Sequence, residues 1–307
     1  MHSNFRQEAG HDPCSGRHGL GWRANLPGLK KSRQTSAGAS EVHQRQAKIG
    51  TLKSHGIELA EGDLKNRSSL DAACIGVQTV VSTASSTLSH QPGDTIETVD
   101  RDGELNLVEA AKATAVRHFI FVSFPPFAED FPLNRAKRAV EERLKESGMA
   151  YTILWPTFFE EVWLSPALGF DAANAMARIY GSGENKIRWI SYRDVAAFAA
   201  ASVDNAAARN KTIQLGGPEA LSPLEAIRIF EQETHRDFAV EHVPEDALSA
   251  QKAAATDSLS ASFAGLMLSY ARGDTIDMME CRTLFPSIVA DLKSMRDYAK
   301  RAGAAAS

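Results

Sequence analysis

Residues 56–85, GIELAEGDLKNRSSLDAACIGVQTVVSTAS, set the pattern that the rest of the chain repeats. A short apolar run, Ile57 to Leu59, is followed by a helical stretch from Ser68 to Cys74 and by a second strand-like run from Thr79 to Ser82. Short apolar strands that alternate with helices are typical of parallel strands joined by crossover helices. This segment therefore predicts an α/β fold.

The same alternation continues toward the C-terminus. Further helices are expected at Thr95 to Ala115 and Arg135 to Ser147, and further strands at His118 to Ser123, Tyr151 to Leu154, Ile187 to Ile190 and Thr212 to Leu215. Several of these strands are rich in Val, Ile and Phe, as strands buried on both faces must be. Another helix is predicted from Ser222, because Pro223 and Glu225 follow it in a capping-box arrangement. Together the elements predict a doubly wound parallel sheet.

Composition and charge limit the classes of function. The chain has 307 residues, of which 43% are hydrophobic, and a formal net charge of -4 at pH 7. No Lys/Arg-rich run is present, so we expect no nucleic-acid partner. No apolar run has the length of a signal peptide core or a membrane span, so we expect a cytoplasmic protein with no membrane partner. Cys14, Cys74 and Cys281 lie far apart, which predicts neither a metal site nor a disulfide framework.

Four segments together resemble the NmrA-like branch of the atypical, extended short-chain dehydrogenases. They are residues 56–85, NLVEAAKATAVRHFIFVSF at 106–124, AKRAVEERLKESGMAYTILWPTFF at 136–159 and LGGPEALSPLEAIRIFEQ at 215–232. The resemblance implies a Rossmann-type domain over residues 48–307 that binds NADP or NAD. Within it, about 156–307 would contribute a smaller substrate-side lobe. The implied activity is NAD(P)H-dependent reduction of a small carbonyl or quinone-type substrate.

The resemblance also implies cofactor contacts after two of the strands. Family members place an acidic residue and an apolar neighbour against adenine, which implies this role for Asp63 and Leu64; a helix cap is the alternative for Asp63. Thr83, Ala84 and Ser85 follow a strand end, where small side chains let a backbone approach the dinucleotide closely. A tight turn that serves packing alone is the alternative for these three residues.

Further predicted contacts follow the next strands. Ser123 and Phe124 end one of them, and ligands of open α/β sheets bind outside the carboxyl ends of the strands. Pro156 and Phe158 end another and are predicted to line the same cofactor site. The resemblance implies that Lys137 is the catalytic lysine, which grips the nicotinamide ribose; a solvated helix lysine is the alternative.

Two positions depart from the family pattern. Leu133 stands four residues before Lys137, where the tyrosine-dependent branch has a Tyr, and leucine cannot donate a proton. Trp155 stands where relatives often have Arg. Some relatives reduce substrates with Lys alone and others bind cofactor without turnover. A second hypothesis is therefore a non-catalytic redox sensor that binds NADP and acts through a protein partner.

The substrate side has a weaker signal. Phe159, Trp163 and Leu164 are apolar residues just after the predicted strand that ends near Pro156. They either line a pocket beside the nicotinamide or belong to the ordinary core. The first interpretation predicts a small-molecule substrate of apolar or aromatic character.

The first 47 residues lack the G-x-x-G-x-x-G turn with which such proteins hold a pyrophosphate. If the nucleotides are read one base later, permitted codons convert Cys14 to Arg23 into Val-Val-Gly-Ala-Thr-Gly-Trp-Val-Gly-Gly, an apolar strand and a glycine turn. Trp22 has a single codon and must shift to Gly. We therefore predict that residues 1–47 are an irregular segment in which a frame shift has removed the first strand, the glycine turn and the second strand. A natural disordered arm is the alternative, and an inactive product of a disrupted frame is the third functional hypothesis.

Overall fold

The computed structural model describes residues 21–24, 49–50, 52–88 and 92–306. The frame shift predicted across Cys14 to Gln46 lies almost wholly outside these ranges. Eight strands are present in the described part: β1 Gly21–Ala24, β2 Thr79–Ser82, β3 His118–Val122, β4 Ala150–Pro156, β5 Phe170–Asp171, β6 Met176–Tyr180, β7 Lys211–Leu215 and β8 Ala239–Val243.

The strands form two sheets. The larger has the order β1-β2-β3-β4-β7, in which β2, β3, β4 and β7 are parallel and β1 is antiparallel to β2. The smaller has the order β5-β6-β8. Four neighbouring parallel strands confirm the predicted α/β class.

The helices follow the strands in the order expected of crossover connections. They are α1 Arg67–Cys74, α2 Asp102–Ala113, α3 Pro132–Glu146, α4 Glu160–Trp163, α5 Tyr192–Asp204, α6 Pro223–Thr234, α7 Glu245–Ala254, α8 Ser258–Arg272, α9 Met279–Leu284, α10 Pro286–Ala290 and α11 Met295–Ala306. Within the described ranges, none is both long enough and apolar enough to cross a bilayer.

Helices cover both faces of the larger sheet. Alternate residues of β3 point to opposite faces, as the strand period of two requires. Phe119 and Phe121 pack with residues of α1, α2 and α3, whereas Ile120 packs with Val195 and Phe198 of α5. The sheet is therefore doubly wound, as predicted.

A π-helical turn, Ile96–Arg101, runs directly into α2. It begins with a capping box between Thr95 and Thr98. Gly103 lies just after it, and a Cβ there would be 2.7 Å from Leu64 Cβ and 2.8 Å from the Thr98 carbonyl oxygen. Only glycine fits this approach. The single helix predicted from Thr95 to Ala115 consists of a wide turn followed by a regular helix.

The part of the chain after β4 contributes to both sheets. It returns β7 and α5 to the larger sheet, and it builds the smaller sheet with the aromatic cluster around it. Helix α8 packs on α3, where the Leu133 amide donates to Ser262 Oγ at 3.0 Å. The assignment of about 156–307 as a substrate-side lobe stays a prediction.

Two predicted strands are wrong. Ile57 to Leu59 is not a strand, because the Ile57 amide closes a turn on the Leu52 carbonyl instead of entering a ladder. Ile187 to Ile190 forms only single bridges, since pairing changes from Leu221 to Phe159 within three residues. The capping box of α6 at Ser222 is confirmed.

Candidate active site

A cavity of about 190 Å³ opens at the carboxyl ends of β2, β3 and β4. Open α/β sheets bind ligands at this edge. Seven of the ten predicted site residues line it: Thr83, Ser85, Ser123, Phe124, Lys137, Pro156 and Phe158. The loops after three neighbouring strands therefore converge on one site, although their ligand contacts stay predictions.

Lys137 lies at the buried side of this cavity. Its residue is 4% exposed, and Nζ donates to the Ala84 carbonyl oxygen at 3.3 Å. Asp100 Oδ1 is 3.8 Å from Nζ, and the ring centroid of Phe121 is 4.9 Å away. An ammonium group has three N–H donors, and only one of them makes a hydrogen bond to the described residues, so Lys137 keeps a spare donor for the cavity. The structure thus excludes a solvated surface lysine at this position.

Two buried carboxyl groups lie behind Lys137. Asp100 Oδ2 accepts hydrogen bonds from the amide and hydroxyl of Ser86. The Ser82 hydroxyl donates to Glu104 Oε1 at 2.6 Å. Burial raises the pKa of Glu104 to about 7, and the nearby Asp100 adds to this, while Lys137 and the Ser82 hydrogen bond oppose it. Sequence reasoning missed both carboxyl groups.

Hydroxyl groups line the cavity next to Lys137. The buried Thr83 Oγ1 has no hydrogen-bond partner among the described residues. Ser85 Oγ and Thr87 Oγ1 are 3.1 Å apart. Thr157 is already engaged, because its hydroxyl donates to Asp274. Among these hydroxyl groups, the unsatisfied Thr83 hydroxyl is therefore the best candidate for a hydrogen bond to a bound ligand.

The opposite wall is apolar. Phe127 stacks on Phe124 at a centroid distance of 5.3 Å and on Phe158 at 5.7 Å, and Trp163 meets Phe158 edge-on at 5.0 Å. Phe159 and Trp163 line the cavity, as the pocket interpretation predicted, whereas Leu164 is buried in the core.

Helix α8 completes this wall, which the sequence alone does not predict. Phe263, Leu266 and Met267 line the cavity from one face of that helix. Their i, i+3, i+4 spacing marks an apolar face. This spacing does not predict what the apolar face packs against, because the contact with the cavity depends on how α8 docks against distant parts of the chain.

The two residues that depart from the family pattern, Leu133 and Trp155, have different positions relative to the site. Leu133 is 3% exposed and lines the cavity, so the position of the family's phenol holds an alkyl group. Trp155 Nε1 donates to Glu141 Oε1 at 2.7 Å, and Glu141 also pairs with Arg138. Arg138 Nη2 in turn donates to Ser123 Oγ at 3.0 Å, which fixes the loop after β3.

Asp63, Leu64 and Ala84 do not line the cavity. Asp63 Oδ1 accepts from the Lys65 amide at 2.9 Å, and the N-cap of α1 is Asn66, so Asp63 is not the cap of that helix. Leu64 is buried next to Gly103. The adenine roles of Asp63 and Leu64 stay predictions.

These groups fit the nicotinamide end of a dinucleotide. The orphaned Thr83 hydroxyl and the spare donor of Lys137 supply polar contacts at the strand ends, and the aromatic wall supplies a face for a flat ring. The segment expected to encode the glycine turn that holds the pyrophosphate lies mostly outside the described residues.

Known proteins resemble the chain in sequence. It is 28% identical over 199 residues to the photosystem II assembly factor Ycf39 of Trieres chinensis, which covers 64% of this chain and 61% of the relative. It is 31% identical over 182 residues to an NAD(P)H azoreductase of Xenophilus azovorans, which covers 58% of this chain and 59% of the relative. The matched part thus spans about three fifths of both relatives.

A solved structure shows the same fold. The NADPH-dependent quinone oxidoreductase of Escherichia coli, solved with NADPH, matches with a TM-score of 0.65 at 21% identity, covering 83% of this chain and 87% of the other. The predicted cofactor class, NADP or NAD, is the class that this neighbour holds. The model of the NmrA-like family matches residues 31–272, which confirms the predicted family. The chain belongs to the NmrA-like family.

Proposed function

We propose that this protein is an NAD(P)H-dependent reductase of a small, flat carbonyl or quinone-type acceptor. The observation that carries the proposal is the strand-end cavity, in which the spare donor of buried Lys137 faces an aromatic wall. The related azoreductase and the quinone oxidoreductase of the same fold support a reductase.

Lys137 is the proposed catalytic residue. Its Nζ is a hydrogen-bond donor at the buried side of the cavity, where an acceptor oxygen that gains electrons needs a proton. The bound dinucleotide supplies the hydride. Phe124 and Phe158 orient a flat acceptor against that donor, and the apolar wall excludes water from it.

A redox sensor is the second candidate function. Leu133 removes the phenol that the tyrosine-dependent branch uses, and one relative of the chain is named a photosystem II assembly factor, which supports a role through a protein partner. In this candidate, the same cavity binds NADP, and a protein partner responds to the bound form. An inactive product of a disrupted frame is the third candidate, favoured by the sequence of residues 1–47.

The test is NADPH oxidation by the full chain with 1,4-benzoquinone as acceptor. We expect Lys137→Met to lower the rate by about 10²-fold, since this is the lower range for loss of a general acid. Lys112→Met is the matched control, because Lys112 is exposed at the end of α2. Tyr192→Phe tests the phenol that also lines the cavity, and we expect it to retain most of the activity.

The outcomes separate the three candidates. Quinone-dependent oxidation that is lost in Lys137→Met supports the reductase. Saturable NADPH binding without quinone-dependent oxidation refutes it in favour of the sensor. Absence of NADPH binding by a folded chain refutes both and leaves the disrupted product. Loss of activity in Tyr192→Phe alone would move the proton donor from Lys137 to Tyr192.

A further inference from the structure

Three ionisable side chains lie together beneath the cavity. Asp100 and Glu104 are each 0% exposed, and Lys137 is 4% exposed. Ser82 and Ser86, which hydrogen-bond to the two carboxyl groups, are equally buried. Only Lys137 among these residues lines the cavity, so the carboxyl groups can act on a ligand only through it.

The charges of this cluster do not balance if every group is ionised. One ammonium and two carboxylates give a net charge of -1 among three side chains that are at most 4% exposed. An unpaired buried charge is strongly unfavourable, and a buried carboxyl group takes up a proton instead. One proton held by the two carboxyl groups makes the cluster neutral while Lys137 stays charged.

The hydrogen bonds indicate which carboxyl group holds that proton. One Asp100 oxygen accepts hydrogen bonds from the Ser86 amide and hydroxyl, and the other has no hydrogen-bond partner among the described residues but lies 3.8 Å from Lys137 Nζ. Glu104 accepts only from Ser82, and its Oε2 has no hydrogen-bond partner among the described residues. The raised pKa of Glu104, caused first by burial, agrees with a proton on Glu104.

The π-helical turn explains why Asp100 faces inward. It lies in a charged stretch, Asp100 to Glu104, in which Arg101 and Asp102 pair with each other at the surface. The turn before α2 is wider than a regular helix, and such turns often occur at functional sites. It places Asp100 against Lys137 and leaves Glu104 one turn further along α2.

We propose that Asp100 and Glu104 are positioning residues that share one proton and thereby keep Lys137 charged beside the cavity. The use of the Lys137 charge in catalysis rests on the proposed reductase function. The presence of that charge does not depend on whether the protein is a reductase. Lys137 and Asp100 are the charged groups that face Glu104. On the packed helices, Arg67 pairs with Asp71 of α1, Arg143 of α3 pairs with Glu109 of α2, and Arg138 pairs with the buried Glu141 of α3.

The test uses the full chain without dinucleotide and has two readouts. The first is the rate at which acetic anhydride labels Lys137 near neutral pH, followed by mass spectrometry. The second is the infrared band of protonated carboxyl groups. Glu160 and Asp194, whose pKa values burial also raises, contribute to this band, so each variant is compared with the wild type by difference.

A shared proton predicts a specific pattern. Glu104→Gln loses one protonated-carboxyl band, and Asp100→Asn loses the same band because Glu104 then ionises to balance Lys137. Either single variant labels Lys137 at nearly the wild-type rate. The double variant leaves Lys137 without a counter-charge, so we expect labelling at least about tenfold faster, equal to one logarithmic unit in proton affinity.

Asp102→Asn and Glu109→Gln are matched controls on the same helix and should change neither readout. A band that persists in Glu104→Gln overturns the proposal, as does one that persists in Asp100→Asn. Unchanged labelling in a folded double variant also overturns it. If the double variant does not fold, the protonated-carboxyl bands of the two single variants still test the proposal. If the band and labelling changes appear as expected but the chain oxidises no NADPH, the proposed reductase function is refuted and the shared proton is not.

Discussion

Replacing Glu104 by Gln should remove part of the pH dependence of the free energy of unfolding. Glu104 is fully buried, and its pKa rises from 4.5 to about 7 on folding. The unfolded chain therefore releases this proton at lower pH than the folded protein does. Stability contributed by the proton is fully present below about pH 4.5 and is lost as the pH rises toward 7.

The expected magnitude follows from that shift. One pKa unit corresponds to about 1.4 kcal/mol, so ionisable Glu104 costs the folded protein about 3 kcal/mol at pH values above 7. Gln cannot ionise and carries no such cost. Its amide hydrogens lack partners at the position of Oε2, which costs about 1–3 kcal/mol at every pH. This constant cost does not alter how the free energy of unfolding changes with pH.

The assay is urea unfolding at about pH 5 and about pH 8, with each variant compared at both values. The wild type should lose about 2.5 kcal/mol more than Glu104→Gln between the two pH values, because the unfolded group is already partly ionised at about pH 5. Glu109→Gln, a partly exposed change on the same helix, should keep the wild-type pH dependence. Parallel pH curves for the wild type and Glu104→Gln would refute the reasoning, because Glu104 would then ionise equally in the folded and unfolded states.

Two further changes test the packing around the site. Gly265→Ala places a Cβ 2.4 Å from the Phe131 ring, so its overpacking cost of about 2 kcal/mol or more exceeds the gain in helix propensity of about 1 kcal/mol, and Tm should fall. Gly303→Ala, where the nearest atom is 3.2 Å away, is the control, and an equal Tm for both variants would contradict the packing. Ser222→Ala removes the hydroxyl that accepts from the Glu225 amide and should cost about 1 kcal/mol in urea unfolding; an unchanged free energy would mean that the cap is dispensable.

The local sequence pattern predicts an element correctly where the residues of that element alone determine its structure. The Thr79 to Ser82 strand has the predicted bounds, and the capping box at Ser222 forms as predicted, because a run of β-branched residues and cap chemistry both act over a few residues. The predicted strand at Ile57 to Leu59 failed, since a strand also needs a neighbouring ladder. The cavity edge was predictable from strand ends, and its α8 wall was not, since that wall depends on docking between distant segments.

The buried carboxyl groups were the least predictable part of the site. Asp100 and Glu104 lie in the charged run VDRDGE, which is typical of an exposed helix start. Their burial depends on the π-helical turn and on the close approach of Leu64 to Gly103, neither of which has a local signature. The nearest sequence signal is Gly103 itself, an unfavourable residue inside a predicted helix.

The energetics of the cluster favour a role in chemistry over a role in folding. Apolar side chains of similar volume would fill the space of Asp100, Glu104 and Lys137 without the cost of desolvating three ionisable groups. Glu104 alone costs about 3 kcal/mol above neutral pH, a large part of the stability of a typical domain. Since Leu133 offers no proton, we infer that the two carboxyl groups are kept for their effect on Lys137 next to the aromatic wall.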